Sequence, residues 1–208
     1  MLIHQGAEAK IYLEGGIILK HRFSKKYRHP EIDKKLRKRS TRRESRLLEK
    51  AKNLIPVPRL YEFDDGEGKL KMEYIEGIQI KEILDTMEKR ERAKILKKIG
   101  EQVAILHNNN IIHGDLTTSN MLMKEGKIYF IDFGLGFFST KIEDKAVDIH
   151  LFRQALESKH YKHYGESFKY FLDGYRGKIN NFKEIMKRFI KVEERGRYKK
   201  KGGKNATS

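Results

Sequence analysis

Apolar and polar positions at the start of the chain alternate in short runs broken by glycine. Lys10–Leu13 and Gly16–Lys20 read as two strands joined by a turn at Glu14-Gly15-Gly16, because short alternating runs bounded by glycine are the mark of a hairpin. The period then lengthens. After Pro30 the spacing predicts a long helix over Glu31–Lys52, with Glu44, Leu47, Leu48 and Ala51 on one face. Pro56 and Pro58 end it. Arg59–Phe63 and Lys69–Tyr74 form a second hairpin around 64–68. Past Glu76–Gly77 the pattern turns helical: Ile80–Met87, then Arg90–His107 with Leu96, Ile99, Val103 and Leu106 in one stripe. Ile111–Asn120 is a polar loop entered from an apolar pair. Met121–Met123 and Lys127–Ile131 are short strands about Gly126. Helices are expected over Lys145–Ser158, Tyr164–Tyr175 and Asn180–Glu194, and Lys199–Ser208 is polar enough to be disordered.

The reading is α+β: a β-rich N-terminal lobe with one long helix (residues 1–76), a helical C-terminal lobe (77–198) and a basic disordered tail (199–208). Composition narrows the class. The chain has 208 residues, no cysteine, 38% hydrophobic and 36% charged residues. Disulfides, thiol catalysis and cysteine-ligated zinc are excluded. No apolar run approaches the ~20 residues of a membrane span, and the start lacks a signal-peptide pattern, so no membrane partner and a cytoplasmic location are expected. The net charge of +17 points to a polyanionic partner. It is clustered: basic residues crowd Lys20–Arg46, opposed only by Glu31, Asp33 and Glu44, and return at Arg195–Lys204.

The strongest chemical signal is His113-Gly114-Asp115-Leu116-Thr117-Thr118-Ser119-Asn120, followed by Asp132-Phe133-Gly134. These match the kinase catalytic loop H-x-D-L-x-x-x-N and the D-F-G motif. Phosphoryl transfer needs a carboxylate to orient the acceptor and take its proton, and oxygen ligands for magnesium on the phosphates. Asp115 is the first group; Asn120 and Asp132 are the magnesium ligands. ATP and Mg2+ are the implied cofactors, and the fold class sharpens to a two-lobed protein-kinase-like fold with a shortened C-terminal lobe. Lys20 closes an apolar run where the phosphate-binding lysine of such a fold stands. Glu44 points inward on its helix and needs a cation, which Lys20 supplies. Gln5, Gly6, Ala7, Glu8 and Ala9 stand where a phosphate-covering loop belongs, with one glycine. Glu73 and Ile75 are placed at the hinge, their backbone groups against the adenine edge.

Two departures from ordinary protein kinases stand out. Gly114 replaces the arginine that anchors a phosphorylated activation loop. Only Leu135–Ala146 separates Gly134 from the next helical stretch, with no Ala-Pro-Glu. Switching by phosphorylation of Ser139 or Thr140 is therefore not expected.

Together with Gly6-Ala7-Glu8-Ala9, Lys20, the Lys25–Asp33 segment, Arg39-Ser40-Thr41-Arg42-Arg43-Glu44, Glu73-Tyr74-Ile75-Glu76-Gly77 and Arg195-Gly196-Arg197, this sequence resembles the PRPK-like (Bud-type) family, the small atypical kinase of the KEOPS complex. The likeness covers about residues 3 to 198. RIO kinases are the nearest competitors. The resemblance implies autophosphorylation on serine or threonine, ATPase activity, and work with a Kae-type ATPase subunit and other KEOPS subunits in making threonylcarbamoyladenosine on tRNA. It carries over Lys20, Glu44, Asp115, Asn120 and Asp132 one by one. The basic Lys25–Arg43 cluster is then the expected tRNA face. A nucleic-acid-binding pseudokinase scaffold, or a free-standing RIO-like protein kinase, is the alternative.

Overall fold

A computed structural model describes the backbone of residues 1–202 and the side chains of residues 1–195. The chain divides into two compact units. The first is Met1–Ile80 together with Ser119–Phe137; the second is Lys81–Thr118 with the chain from Phe138 onward. The division thus does not follow a single cut at residue 76, because a later hairpin returns to the first unit.

In the first unit, β1 (Leu2–Gln5), β2 (Lys10–Glu14), β3 (Ile17–His21), β4 (Leu60–Asp64) and β5 (Lys69–Glu73) form one antiparallel sheet in the order β1-β2-β3-β5-β4. Helix α1 (Pro30–Ala51) starts on a proline with Glu31 and Asp33 in its first turn, residues that suit a helix start by fixed φ and by favourable interaction with the helix dipole. It buries Leu47, Leu48 and Ala51, and Leu70 and Met72 of β5 are buried from the sheet side. A smaller sheet joins β6 (Ile78–Gln79), β8 (Met121–Lys124) and β9 (Lys127–Phe130) in the order β6-β8-β9.

The second unit holds α2 (Ile80–Ile83, which begins at the boundary), α3 (Lys89–Asn108), the two-residue strand β7 (Ile111–Ile112), α4 (Ile142–Lys159), α5 (Tyr164–Arg176) and α6 (Phe182–Gly202). α3 and α5 cross at glycines. A Cβ on Gly100 would lie 2.0 Å from the Phe171 carbonyl oxygen, and one on Gly174 would lie 2.0 Å from the Lys97 carbonyl oxygen, so only glycine lets these backbones approach. Phe152 and Phe171, with ring centroids 4.5 Å apart, fill the core beside the crossing.

Four expectations change. β1 was not anticipated: its residues are all exposed and carry no alternating signal. The helix expected over Ile80–Met87 is one turn, Ile80–Ile83, followed by turns. α4 begins at Ile142, so the segment after Gly134 is shorter still. α6 runs to Gly202, past the Lys199 where disorder was expected; residues 203–208 of that tail lie outside the described residues. No helix among the described residues is long and apolar enough to cross a membrane.

Candidate active site

In the first unit the sheet and α1 bring three of the expected side chains together. Lys20 lies near the end of β3, opposite Leu70 of β5. Glu44 lies on the buried face of α1. The Lys20 ammonium donates to Glu44 Oε1 at 2.9 Å and to Asp132 Oδ1 at 2.6 Å. Burial alone would pull the Lys20 ammonium down, but the Glu44 and Asp132 carboxylates outweigh it and hold it above the ordinary lysine value. Lys20 and Glu44 are buried, whereas the Asp132 side chain is 43% exposed. The pair facing solvent is therefore the exchangeable one.

Asn120 reaches the same place through β8 and β9. Met121 pairs with Phe130, and the Ile131 amide donates to the Asn120 carbonyl at 3.0 Å. The hairpin therefore delivers Asn120 beside the backbone that carries Asp132. Asp132 has a left-handed backbone (φ 60°), and its Oδ1 accepts from the Gly134 amide at 3.1 Å. A Cβ on Gly134 would sit 2.9 Å from that oxygen and 3.2 Å from Lys20 Nζ, which accounts for glycine there.

The loop Gly6–Ala9 bridges β1 and β2. The Gly6 amide donates to the Ala9 carbonyl at 3.0 Å, Ala9 is buried, and Glu8 accepts from Arg28 at 3.1 Å. Gln5 ends β1. At the expected hinge, Glu73 exchanges backbone contact with Arg59 (amide to carbonyl, 2.9 Å), and the Ile75 carbonyl accepts from Gly77 at 2.9 Å.

Asp115 belongs to the second unit and is held by different means. Asp148 of α4 is buried, and its two oxygens accept from the amides of His113 and Gly114, each at 2.9 Å. His107 Nε2 lies 3.1 Å from Asp148 Oδ2, and His107 Nδ1 lies 2.8 Å from the Tyr175 hydroxyl. Burial pushes the Asp148 carboxyl up, but hydrogen bonds and charge from His107 and His113 prevail and hold it below the ordinary aspartate value. Burial and Asp148 together raise the Tyr175 phenol. Gly114 has φ 78°, a conformation that glycine adopts freely and arginine does not. The Asp115 amide faces His113 Nδ1 at 3.4 Å.

Sequence reasoning missed Asp148, His107 and Arg22. Arg22 is buried and binds Glu44 Oε2 by a short ion pair, with Thr41 Oγ1 at 3.4 Å from its other nitrogen. Glu44 thus carries a cation on each oxygen. The helical stripe gave a usable signal for Asp148: Lys145, Asp148, Ile149, Phe152 and Leu156 share one buried face, and an acid in an apolar stripe demands a partner. The expected basic face also narrows. Arg43 is half-buried and donates to the Gly134 carbonyl at 3.1 Å, and Arg42 pairs with Asp65. Lys34, Lys35, Lys38, Arg39 and Arg46 remain exposed on α1.

Residues 13–137 match the RIO domain family. The KEOPS complex subunit Bud32 of Pyrococcus abyssi is 46% identical over 96% of this chain and 97% of its own length. A probable bifunctional tRNA threonylcarbamoyladenosine biosynthesis protein of Methanothermobacter thermautotrophicus is 43% identical over 95% of this chain, which spans 36% of that longer protein. Among solved structures, the Rio2 kinase of Chaetomium thermophilum, in an ADP/Mg2+-phosphoaspartate complex, matches with a TM-score of 0.61 at 14% identity, over 93% of this chain and 70% of that one. That likeness shows the kinase-like fold.

Proposed function

This chain belongs to the RIO-domain family, in its Bud32 group, and from that premise we propose that it is an ATP-dependent phosphotransferase and ATPase serving a KEOPS-type complex in threonylcarbamoyladenosine formation on tRNA. The observation that carries this reading is the Lys20 ammonium bridging Glu44 and Asp132. A scaffold has no use for a buried lysine whose second partner is a half-exposed carboxylate; a nucleotide site does.

Lys20 holds phosphate oxygens, and Glu44 keeps it aimed. Asn120 and Asp132 offer hard oxygen donors, the type that suits magnesium when phosphates and water complete its shell. Magnesium bound there supplies neutralisation of phosphate charge. Asp115 orients the acceptor, a serine or threonine hydroxyl or a water, and accepts its proton. Gln5–Ala9 covers the phosphates, and the backbone of Glu73 and Ile75 meets the adenine. Partners are a Kae-type ATPase subunit, other KEOPS subunits, and tRNA through the exposed lysines and arginines of α1, in a cytoplasmic setting.

The test is magnesium-dependent ATP turnover by wild type and Asp132→Ala, alone and with the partner ATPase. A large loss is expected in the variant. Equal turnover would end the enzyme reading and leave the scaffold.

A further inference from the structure

The catalytic loop is held at its start by Asp148, and a second, unrelated set of residues meets its far end. Thr118, three residues after Asp115, is buried, and its hydroxyl lies 3.0 Å from His160 Nε2. His160 is 1% exposed. Its other ring nitrogen, Nδ1, lies 3.0 Å from an Asp85 carboxylate oxygen. All three belong to the second unit. The His160 backbone is pinned as well: its amide donates to the Leu156 carbonyl at 2.8 Å, and its carbonyl accepts from the His163 amide at 3.0 Å.

We propose that Asp85, His160 and Thr118 form a positioning relay that fixes the far end of the catalytic loop and thereby the direction of Asp115. A buried imidazole is costly unless both nitrogens face polar partners, so this histidine specifies one arrangement of its neighbours. The Asp85 carboxylate lies 3.0 Å from Nδ1 without the alignment of a hydrogen bond, and its negative charge favours the tautomer with the proton on Nδ1. Nε2 is then an acceptor, and the Thr118 hydroxyl donates to it. The relay resembles a nucleophilic triad in its order, but a threonine this buried has no room for an acyl or phosphoryl donor, so its role is to hold the loop. Between the two anchors lie only Asp115, Leu116 and Thr117, and Leu116 is itself buried. Asp115 is therefore the one carboxylate between two fixed points. This explains how the loop stays ordered when Gly114 removes the arginine that would tie it to a phosphorylated segment.

The inference rests on the proposed phosphotransferase reading for its kinetic consequence, and its structural consequence can be read without it. Thr118→Val keeps shape and removes the donor; Thr118→Ser restores it. With the full-length chain, kcat for ATP turnover should fall at least about tenfold in Thr118→Val with KM for ATP within about twofold, since small displacements of a catalytic group cost that much or more. Thr118→Ser should recover most of the rate. Asp85→Asn, at a side chain 41% exposed, is the variant for which folding is not in question, and it should lower kcat less. Hydrogen exchange followed by mass spectrometry should show faster exchange at 113–120 in Thr118→Val and Asp85→Asn, with α3 and α5 unchanged. Unchanged kcat and unchanged loop exchange in the folded variants would overturn the relay, as would a rise in KM at constant kcat. If wild-type turnover proves indifferent to Asp132→Ala, the phosphotransferase reading fails, and the exchange result alone decides the relay.

Discussion

The two units solve the same problem, holding a polar group in place, with opposite materials. Around Glu44 in the first unit the contacts are between charged side chains: Lys20, Arg22 and Asp132 all converge there or one step away. Around Asp148 in the second unit a buried carboxylate is tied to backbone amides and to a histidine that is itself tied to Tyr175. Charged side chains can trade one partner for another when a phosphate arrives. A buried carboxylate bound to backbone amides has nothing to trade with, and losing it leaves those donors unsatisfied. The first arrangement suits binding and release; the second suits a fixed direction.

The largest expected effect follows from the exchangeable side. Asp132→Ala should lower magnesium-dependent ATP turnover by about a thousandfold, roughly 4 kcal/mol in the barrier. Its half-exposed side chain contributes little to the fold, so thermal unfolding should shift by only a few degrees. A collapse of stability alongside activity would mean that the first unit is as rigidly built as the second.

Asp148→Asn tests the other side and should do the reverse. It replaces an acceptor-only carboxylate with a group carrying two donors, facing two amides and His107. We expect about 2 to 4 kcal/mol of lost stability in urea denaturation. The pH dependence carries its own sign. Asp148 binds its proton less readily folded than unfolded, so its contribution is present above the ordinary aspartate range near 4 and is lost as pH falls through the depressed folded value. Urea midpoints measured from neutral pH down to about 3 should therefore fall less steeply in Asp148→Asn than in wild type. An equal slope would show that Asp148 gains nothing from its partners on folding.

How much of this contrast could be read beforehand depends on the kind of contact. The Lys20–Glu44 pair was legible because Glu44 broke an apolar stripe and needed a cation, while Asn120 and Asp132 drew attention through a spacing that phosphoryl transfer uses. Asp148 broke a stripe of the same kind on α4, but no motif drew attention to it, and Glu143 and Asp144 on the same helix gave it the look of an ordinary surface acid. His107 continues the Leu96, Ile99, Val103 stripe for the same reason. Arg22 was hidden inside a run of basic residues that reads as one surface patch; only the pairing of β3 with β5 and the placement of α1 separate it from its exposed neighbours. β1 carried no signal because an exposed edge strand needs no alternation.

The exposed basic residues of α1 lie outside both networks, so changing them should leave both intact. Lys35→Ala with Arg39→Ala should leave ATP turnover and stability unchanged while flattening the salt dependence of tRNA binding by about one to two in slope. A slope that did not move would place the polyanion elsewhere on the chain.

A smaller loss of stability than at Asp148 is expected at Arg22, and it is the sharpest test of the comparison. Arg22→Met removes a buried guanidinium from one oxygen of Glu44. Lys20, Arg22 and Arg43 stand near Glu44 and Asp132, so the cluster holds three cations against two carboxylates. Removing one cation leaves the charges balanced, and Lys20 still satisfies Glu44. The loss should therefore be about 1 to 2 kcal/mol, less than for a buried charge left alone. Lys20 then becomes the sole cation on Glu44 and is less available to a phosphate, so KM for ATP should rise a few-fold with kcat nearly constant. If Arg22→Met costs as much stability as Asp148→Asn, the charges around Glu44 are as little exchangeable as the amides around Asp148, and the distinction between the two units fails.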